Sequence, residues 1–322
     1  MTQLYGLVVK AQSGFFTVET ESGDIICKIP KRMRYRRRKQ QKTQDEREST
    51  IVTVGDRVWL SLNDDGSGTV EKVEPRHHVL SRARPSANAR SLQQDREQVL
   101  VANPDQVIFV FAAKDPAPSL RKLDRLLVIA EMNDLPVVIC INKIDLVDPQ
   151  TILDQFNLYQ TLGYSVLLTS ATSNIGINAL RDILKDKLSV FSGSSGVGKS
   201  SLLNAVQMGL GVAVGAVSEA TTKGMHTTRH TALYKLDFGG YVADTPGIRG
   251  VALFNVEPEE LDAYFREIAP LVEDCQFSDC THQREPGCAV QQAVADGLIS
   301  AERFESYRRL REEHEQLQRK EY

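Results

Sequence analysis

The sequence predicts three successive parts: an all-β barrel, a central α/β domain built on a parallel sheet, and a mostly helical C-terminal part. Three observations carry this prediction. Short alternating strands with glycine turns fill the first part, continuously apolar strands alternate with amphipathic helices in the second, and three cysteines crowd around a histidine in the third. The 322 residues correspond to about two or three domains. We place the boundaries at 1–75, 76–102 (a linker), 103–254 and 255–322.

The barrel prediction depends on five short strands in the first 75 residues. Tyr5–Lys10, Phe15–Glu19 and Asp24–Ile29 are separated by glycine turns, residues 58–62 alternate between apolar and polar, and Gly68–Val73 completes the set. Strands at this spacing are typical of a small closed barrel of the OB type. The stretch that follows has prolines, many charges and little periodicity, which is why we interpret it as a linker.

A strongly basic run lies between the third and fourth of these strands. It consists of Lys31, Arg32, Arg34, Arg36, Arg37, Arg38, Lys39 and Lys42, with Tyr35 inside it. Removing these eight charges from the net charge of −3 leaves −11 for the remainder. Such a run is either a solvated loop or a phosphate-binding loop. Because it sits on an OB-like barrel, we predict RNA contacts by Lys31, Arg32, Arg34, Tyr35, Arg36, Arg37, Arg38 and Lys39.

The central part alternates buried strands with amphipathic helices. Val107–Ala113, Val137–Ile141 and Ser165–Thr169 are continuously apolar or nearly so, and helical apolar spacing occupies 120–130 and 177–188. This alternation is typical of a parallel sheet covered by helices. Hydrophobic residues make up 41% of the chain, but these apolar runs are far shorter than the roughly 20 residues of a membrane span. We therefore expect no membrane partner.

A phosphate-binding motif lies in this α/β part. Residues 193–200, GSSGVGKS, match G-x-x-x-x-G-K-[ST] between a predicted strand, Ser189–Phe191, and a predicted helix, Ser201–Val206. The loop amides would wrap phosphates, Lys199 would neutralise the β and γ phosphates, and the Ser200 hydroxyl would bind Mg²⁺. The predicted nucleotide contacts are Gly193, Ser194, Ser195, Gly196, Val197, Gly198, Lys199, Ser200 and Ser201.

A base-reading motif precedes the phosphate loop. Asn142, Lys143 and Asp145 form N-K-x-D after one predicted strand, and Ser170 and Ala171 end the next. Asp145 would accept hydrogen bonds from the N1–H and exocyclic amine of guanine. A backbone amide of the segment that ends in Ala171 would donate to the guanine O6. Adenine lacks this donor pair, so it would leave the carboxylate unpaired. The motif therefore favours GTP and argues against a P-loop ATPase or nucleotide kinase.

The order of the motifs is unusual. Asp244 and Gly247 form D-x-x-G after a predicted hairpin, where the aspartate can hold Mg²⁺ through water and the glycine amide can meet the γ phosphate. Along the chain the order is N-K-x-D, S-A, phosphate loop, D-x-x-G, whereas a Ras-like GTPase begins with the phosphate loop. One site can form only if the domain is circularly permuted, which surface-exposed, adjacent termini permit.

With these motifs the chain resembles the ribosome small-subunit-dependent GTPase A (RsgA, YjeQ) family. The resemblance covers essentially the whole chain, including Val54-Gly55-Asp56, the GSSGVGKSS loop and the cysteine cluster. It implies an N-terminal OB-fold, a circularly permuted GTPase domain, a C-terminal zinc domain and a role in late maturation of the small ribosomal subunit and its rRNA. Residues 224–228 are similar to the family's switch I, so that Thr227 or Thr228 would bind Mg²⁺.

Four soft ligands lie within fourteen residues near the C-terminus. Cys275, Cys280, His282 and Cys288 suit a closed tetrahedral Zn²⁺ site of structural type. The alternative is a loop with free cysteines. The total of five cysteines, together with an N-terminus that lacks a basic and then apolar segment, favours a reducing, cytoplasmic location. We expect a monomer.

Catalysis is predicted to be weak without a partner. A Ras-type GTPase orients the attacking water with a glutamine just after D-x-x-G, and here that position is Ile248. His226, in the segment similar to switch I, is the candidate that positions water beside the catalytic Lys199; otherwise it only packs the loop. The leading hypothesis is a GTPase stimulated by the small subunit. The alternatives are an RNA-binding scaffold with a structural nucleotide site and, least favoured, a redox or metal sensor.

Overall fold

A computed structural model describes most of the chain. The described residues are 3–31, 33, 51–84, 96–210, 232–244 and 258–319. They form a barrel, a central sheet covered by helices on both faces, and a C-terminal helical module. The predicted fold class, with three such parts, is confirmed.

The first part is a closed barrel with the predicted strands. They are β1 (Gln3–Gln12), β2 (Phe15–Thr20), β3 (Gly23–Lys28), β4 (Arg57–Leu62) and β5 (Gly68–Val73). The order around the barrel is β1-β2-β3-β5-β4, with β3 parallel to β5 and β4 paired antiparallel to β1. This is the topology of a five-stranded OB-type barrel.

Alternation along the strands builds the barrel core. Val8, Val18, Leu60 and Val70 are fully buried, because every second residue of a strand faces inwards. Gly68 permits the parallel β3–β5 contact, since a Cβ at that position would lie 2.4 Å from the Cys27 sulfur. Cys27 is fully buried in the barrel core, and this burial raises the pKa of its thiol to about 11.

The prediction of a linker without regular structure at 76–102 is wrong. Residues 76–102 contain β6 (Val79–Arg84) and β7 (Arg96–Ala102), which pair antiparallel. Val101 is fully buried, and the Ala102 amide donates to the Val54 carbonyl at 2.9 Å. The hairpin therefore joins the barrel to the central sheet in one hydrophobic cluster. The prediction failed because the apolar half of β7 is only four residues long and its partner strand is partly charged.

Within the described residues, the central sheet has six strands. They are β8 (Gln106–Ala112), β9 (Val137–Asn142), β10 (Ser165–Leu168), β11 (Leu188–Ser192), β12 (Leu233–Lys235) and β13 (Tyr241–Asp244). The order is β10-β9-β8-β11-β13-β12; all neighbours are parallel except β12, which is antiparallel at the edge. The strand before the phosphate loop, β11, thus lies in the interior of the sheet.

Helices cover both faces of this sheet. They are α1 (Leu120–Glu131), α2 (Pro149–Thr161), α3 (Ile177–Leu184) and α4 (Lys199–Val206). Leu127 and Phe156 of α1 and α2 pack in one cluster, and Leu180 and Leu203 of α3 and α4 pack in another. Sequence reasoning missed α2, although Asp148 caps it and proline occupies its first turn, both of which are helix-start signals.

The C-terminal module consists of 3₁₀ segments Pro258–Tyr264 and Ala269–Asp274, then α5 (Ala289–Ala295) and α6 (Ala301–Arg319). Its core contains Phe265 and Tyr307, and Val128 of α1 belongs to the same cluster. The module is therefore packed directly against the α/β part. Throughout the described ranges, every helix is too short or too polar to cross a lipid bilayer.

Candidate nucleotide site and metal centre

The predicted nucleotide motifs meet at one edge of the sheet. Parallel pairing sets Ala112 beside Asn142 and Phe191 beside Asp244, so β8, β9, β11 and β13 end at the same side. Ligands of open parallel sheets bind outside this edge. Motifs that are far apart in sequence are thereby brought together, as circular permutation requires.

The glycines of the phosphate loop are required by close contacts. A Cβ on Gly193 would lie 2.3 Å from the Val110 carbonyl, and one on Gly198 would lie 2.2 Å from the Asn142 amide nitrogen. Gly198 also has a φ of +94°, which favours glycine. The loop therefore packs closely against β8 and β9 and turns into α4 at Lys199, where the backbone amides of the first helical turn favour anions.

Lys199 is folded over this loop. Its Nζ donates to the carbonyls of Gly193 and Ser194, each at 2.9 Å. Val197 is buried beneath the loop, while Ser195 and Gly196 are exposed on it. Ser200 and Ser201 lie in the first turn of α4. Of the predicted phosphate-loop residues, Val197 alone is buried, and the Lys199 cation lies against the first two residues of the loop.

Asn142 connects the three motifs. Its side chain is 2% exposed, and its Nδ2 donates to the Val197 carbonyl at 2.9 Å while its Oδ1 accepts from the Ala171 amide at 3.2 Å. A buried amide with both ends bonded fixes the loops it joins. Asn142 is therefore a link between the phosphate loop and the S-A segment.

We expect Asn142→Ala to lower GDP affinity about tenfold or more, because a buried carbonyl and amide without partners each cost about 1–3 kcal/mol. Titration with a fluorescent GDP analogue measures the loss. Asn157→Ala, at an exposed position on α2, serves as the matched control. Wild-type affinity in the Asn142 variant would contradict the linking role.

The base-reading residues also converge. Asp145 lies in a 3₁₀ turn, Ile144–Leu146, and its exposed carboxylate accepts a hydrogen bond from the Ser170 hydroxyl. Ser170 is fully buried and also accepts from the Ser173 amide at 3.1 Å. Lys143 has a positive φ of +63° and donates to the Asp115 carbonyl. A fixed carboxylate at the sheet edge is the acceptor that guanine needs.

Some predicted residues fall outside the described residues. These are His226, Thr227, Thr228 and Gly247 of the nucleotide site, and Arg32, Arg34, Tyr35, Arg36, Arg37, Arg38 and Lys39 of the basic run. Asp244 is the last residue of β13, and Lys31 is exposed next to the end of the barrel strand β3.

The predicted metal ligands form a compact cluster. The ligand atoms of Cys275, Cys280, His282 and Cys288 all lie within 4.8 Å of one another. The Cys275 sulfur is 3.9 Å from the Cys288 sulfur, and His282 Nδ1 is 3.6 and 3.4 Å from these two sulfurs. Since His282 is fully buried, this set can hold a metal ion inside the module.

Neighbouring carboxylates hold the cluster in place. Asp262 lies 3.2 Å from His282 Nε2, the second partner that metal-binding histidines usually have. Partial burial would raise the pKa of Glu285, but hydrogen bonds from the Thr281 hydroxyl and from backbone amides outweigh it and lower that pKa to about 2. Glu285 therefore stays ionised and ties the ligand-bearing loop together. Sequence reasoning missed Asp262, twenty residues before the histidine.

Comparison with known sequences finds close relatives along the whole chain. A family model described as RsgA GTPase matches residues 73–254. "Small ribosomal subunit biogenesis GTPase RsgA" of Gemmatimonas aurantiaca is 41% identical over 314 residues, covering 97% of this chain and 98% of the relative. The protein of the same name from Caldanaerobacter subterraneus is 36% identical over 322 residues, covering 100% and 99%.

Solved structures are also similar over nearly the whole chain. The crystal structure of YjeQ from Thermotoga maritima superposes with a TM-score of 0.74 at 37% identity, covering 97% of this chain and 99% of that one. YloQ, described as a circularly permuted GTPase, gives a TM-score of 0.70 at 30% identity, covering 98% and 96%.

Proposed function

The chain belongs to the RsgA GTPase family, and from this premise we propose that it binds the small ribosomal subunit and acts in its late maturation, hydrolysing GTP in response to the subunit. One observation carries the nucleotide half of the proposal: Asn142 joins the phosphate loop to the base-reading loops in one site. The subunit half is supported by relatives named for small-subunit biogenesis that match nearly the whole chain.

In the proposed site each end of GTP has its own residues. Asp145, held by Ser170, accepts from guanine, and the Ala171 segment meets O6. Gly193–Ser201 surround the phosphates, with Lys199 as the charge on the β and γ phosphates. Ser200, one of Thr227 and Thr228, and Asp244 are the proposed ligands or water-mediated contacts of Mg²⁺, which neutralises phosphate charge when bound.

The proposed catalytic step needs help from the partner. Ile248 stands where a Ras-type GTPase has a water-orienting glutamine, and an aliphatic side chain cannot hydrogen-bond water. His226 is the proposed water-positioning group, and Gly247 is the proposed sensor of the γ phosphate. Docking of the subunit would complete the catalytic arrangement, and hydrolysis would favour release.

Zinc is the proposed occupant of the metal cluster. A tetrahedral site with Zn–S of about 2.3 Å and Zn–N of about 2.0–2.1 Å requires S···S separations of about 3.8 Å and S···N separations of about 3.5 Å. The observed 3.9 Å and 3.4–3.6 Å fit these values. Three thiolates and an imidazole leave no open position, so the proposed role is structural.

The barrel supplies the proposed RNA contact. Lys31, Arg32, Arg34, Tyr35, Arg36, Arg37, Arg38 and Lys39 would neutralise rRNA phosphates, with Tyr35 stacking on a base. We assign RNA binding to 1–75, the GTPase to 103–254 and the zinc module to 255–322, with 76–102, which contains β6 and β7, as the connector. A cytoplasmic monomer is the proposed state of the protein.

GTP turnover by the protein alone should be slow. Small ribosomal subunits should stimulate it strongly, and large subunits should leave it slow. Partner-supplied groups raise turnover by about 10³–10⁵-fold in related chemistry, so we expect at least a tenfold rise with small subunits. Lys199→Met is the control that should abolish the response. Unstimulated turnover with retained subunit binding would favour the scaffold alternative, and equal competition by ATP would favour the ATPase alternative.

A further inference from the structure

A second lysine contacts the phosphate loop. Lys122, in the first turn of α1, donates from Nζ to the Ser194 hydroxyl at 2.7 Å. The Ser194 carbonyl accepts from Lys199 at 2.9 Å. One residue of the loop is therefore held by two ammonium groups, one from each of two helices.

The position of Lys122 contradicts the local preference of a helix. The first turn of a helix favours acidic residues because its free amides carry partial positive charge. α1 has no acidic residue in its first turn and carries Arg121 and Lys122 there. Residues that go against the local preference of their element, with no compensating local interaction, are expected at functional positions. The ammonium groups of Lys122 and Lys199, both bonded to Ser194, together give this side of the phosphate loop a positive field.

α1 is firmly anchored just behind Lys122. Asp124 is 2% exposed and accepts from Arg303 at 2.7 Å and from the Tyr159 hydroxyl at 2.8 Å. Arg303, also 2% exposed, pairs with Glu267 at 2.6 Å. The Ser119 side chain caps the helix at the Lys122 amide. The backbone that carries Lys122 is thus fixed before any nucleotide binds.

We propose that Lys122 is a positioning residue of the phosphate loop: through Ser194 it holds the loop in the shape that receives the phosphates and adds a second positive charge beside Lys199. The proposal rests on the proposed binding of guanine nucleotides. Lys122 should affect binding of the phosphates and not of the base, since Asp145 and Ala171, which are proposed to bind the base, lie in other loops. Lys122 is not placed in contact with the reacting atoms.

The test is binding of guanosine, GDP and a non-hydrolysable GTP analogue to Lys122→Met. We expect affinity for GDP and the GTP analogue to fall about three- to tenfold, the size expected for loss of one solvent-exposed hydrogen bond, with guanosine affinity unchanged. Lys122→Arg should recover most of the loss. Arg121→Met removes a neighbouring cation whose electrostatic partner is Glu305, and it should bind like the wild type.

A double-mutant cycle with Ser194→Ala isolates the contact. If Lys122 acts through Ser194, the double variant binds GDP about as well as the weaker single variant. Fully additive losses, equal losses in Arg121→Met, or GDP affinity within twofold of the wild type in Lys122→Met would each overturn the proposal. Failure of the wild type to bind GDP would instead overturn the proposed function, so the two failures are distinguishable.

Discussion

Replacing Asp145 by asparagine should lower GDP and GTP affinity by roughly 100-fold or more. The carboxylate is the proposed acceptor for two donors of guanine, and each hydrogen bond to a charged group contributes about 1.5–3 kcal/mol. In the variant, one amide hydrogen would point at the guanine amine, so a donor faces a donor. The Ser170 hydroxyl, which donates to Asp145, still finds an oxygen acceptor, and the loop should keep its shape.

The same change should create a new preference. Xanthine carries a carbonyl where guanine carries its exocyclic amine, and the asparagine NH₂ can donate to it. We therefore expect xanthosine diphosphate to bind the variant more tightly than GDP does, which is the specificity logic of paired donors and acceptors. Competition of XDP and GDP against a fluorescent nucleotide measures both effects. Asp182→Asn, at an exposed position on α3, is the control. Unchanged GDP affinity in Asp145→Asn would refute the assignment of Asp145 as the guanine acceptor.

Local patterns made much of this site predictable. The phosphate loop is specified by glycines at positions where a Cβ would clash with a backbone carbonyl or an amide side chain, as at Gly193 and Gly198. Strands that are buried on both faces read as continuous apolar runs, so β8 and β9 were found nearly to the residue. Parallel pairing of these strands then predicts that the motifs at their ends lie at one edge of the sheet.

Contacts between distant segments left no such pattern. Arg303 lies in a charge-rich helix that reads as solvated, yet it is buried against Asp124, 179 positions away. Lys122 stands beside Arg121 at the start of an amphipathic helix, and nothing in its neighbours indicates Ser194. The β6–β7 hairpin is stabilised by packing between the barrel and the sheet. These features depend on tertiary packing, which local propensity does not encode.

Removing the proposed zinc ion, or replacing Cys288 by serine, should cost the C-terminal module most of its stability. Structural zinc sites supply about 10–16 kcal/mol of apparent binding free energy that is also folding free energy. Cys280, His282 and Cys288 are buried in the core with Phe265 and Tyr307, so losing the ion leaves polar ligands crowded without a partner. For so small a module, each kcal/mol shifts the melting temperature by about 4–8 °C, and we expect a drop of about 20 °C or more.

Elemental analysis and thermal melting check this expectation. Elemental analysis should find one zinc per wild-type chain and none in Cys288→Ser, and Cys27→Ala should lose barrel packing but keep its zinc. If the serine variant fails to fold, chelation of the wild-type protein followed by zinc addition gives the same comparison reversibly. Full zinc loss without any change in melting would contradict a structural role.

The damage should extend into the α/β part through α1. Val128 packs in the core of the metal module, and Arg303 joins that module to Asp124 by an ion pair with both side chains buried. Breaking a buried pair costs about 3–5 kcal/mol because a charge stays behind unpaired. Metal-free protein should therefore lose hydrogen-exchange protection along α1 as well as in α5 and α6, while the barrel amides of β1 and β4 keep theirs. Unchanged protection of α1 would show that the module unfolds independently of the nucleotide domain.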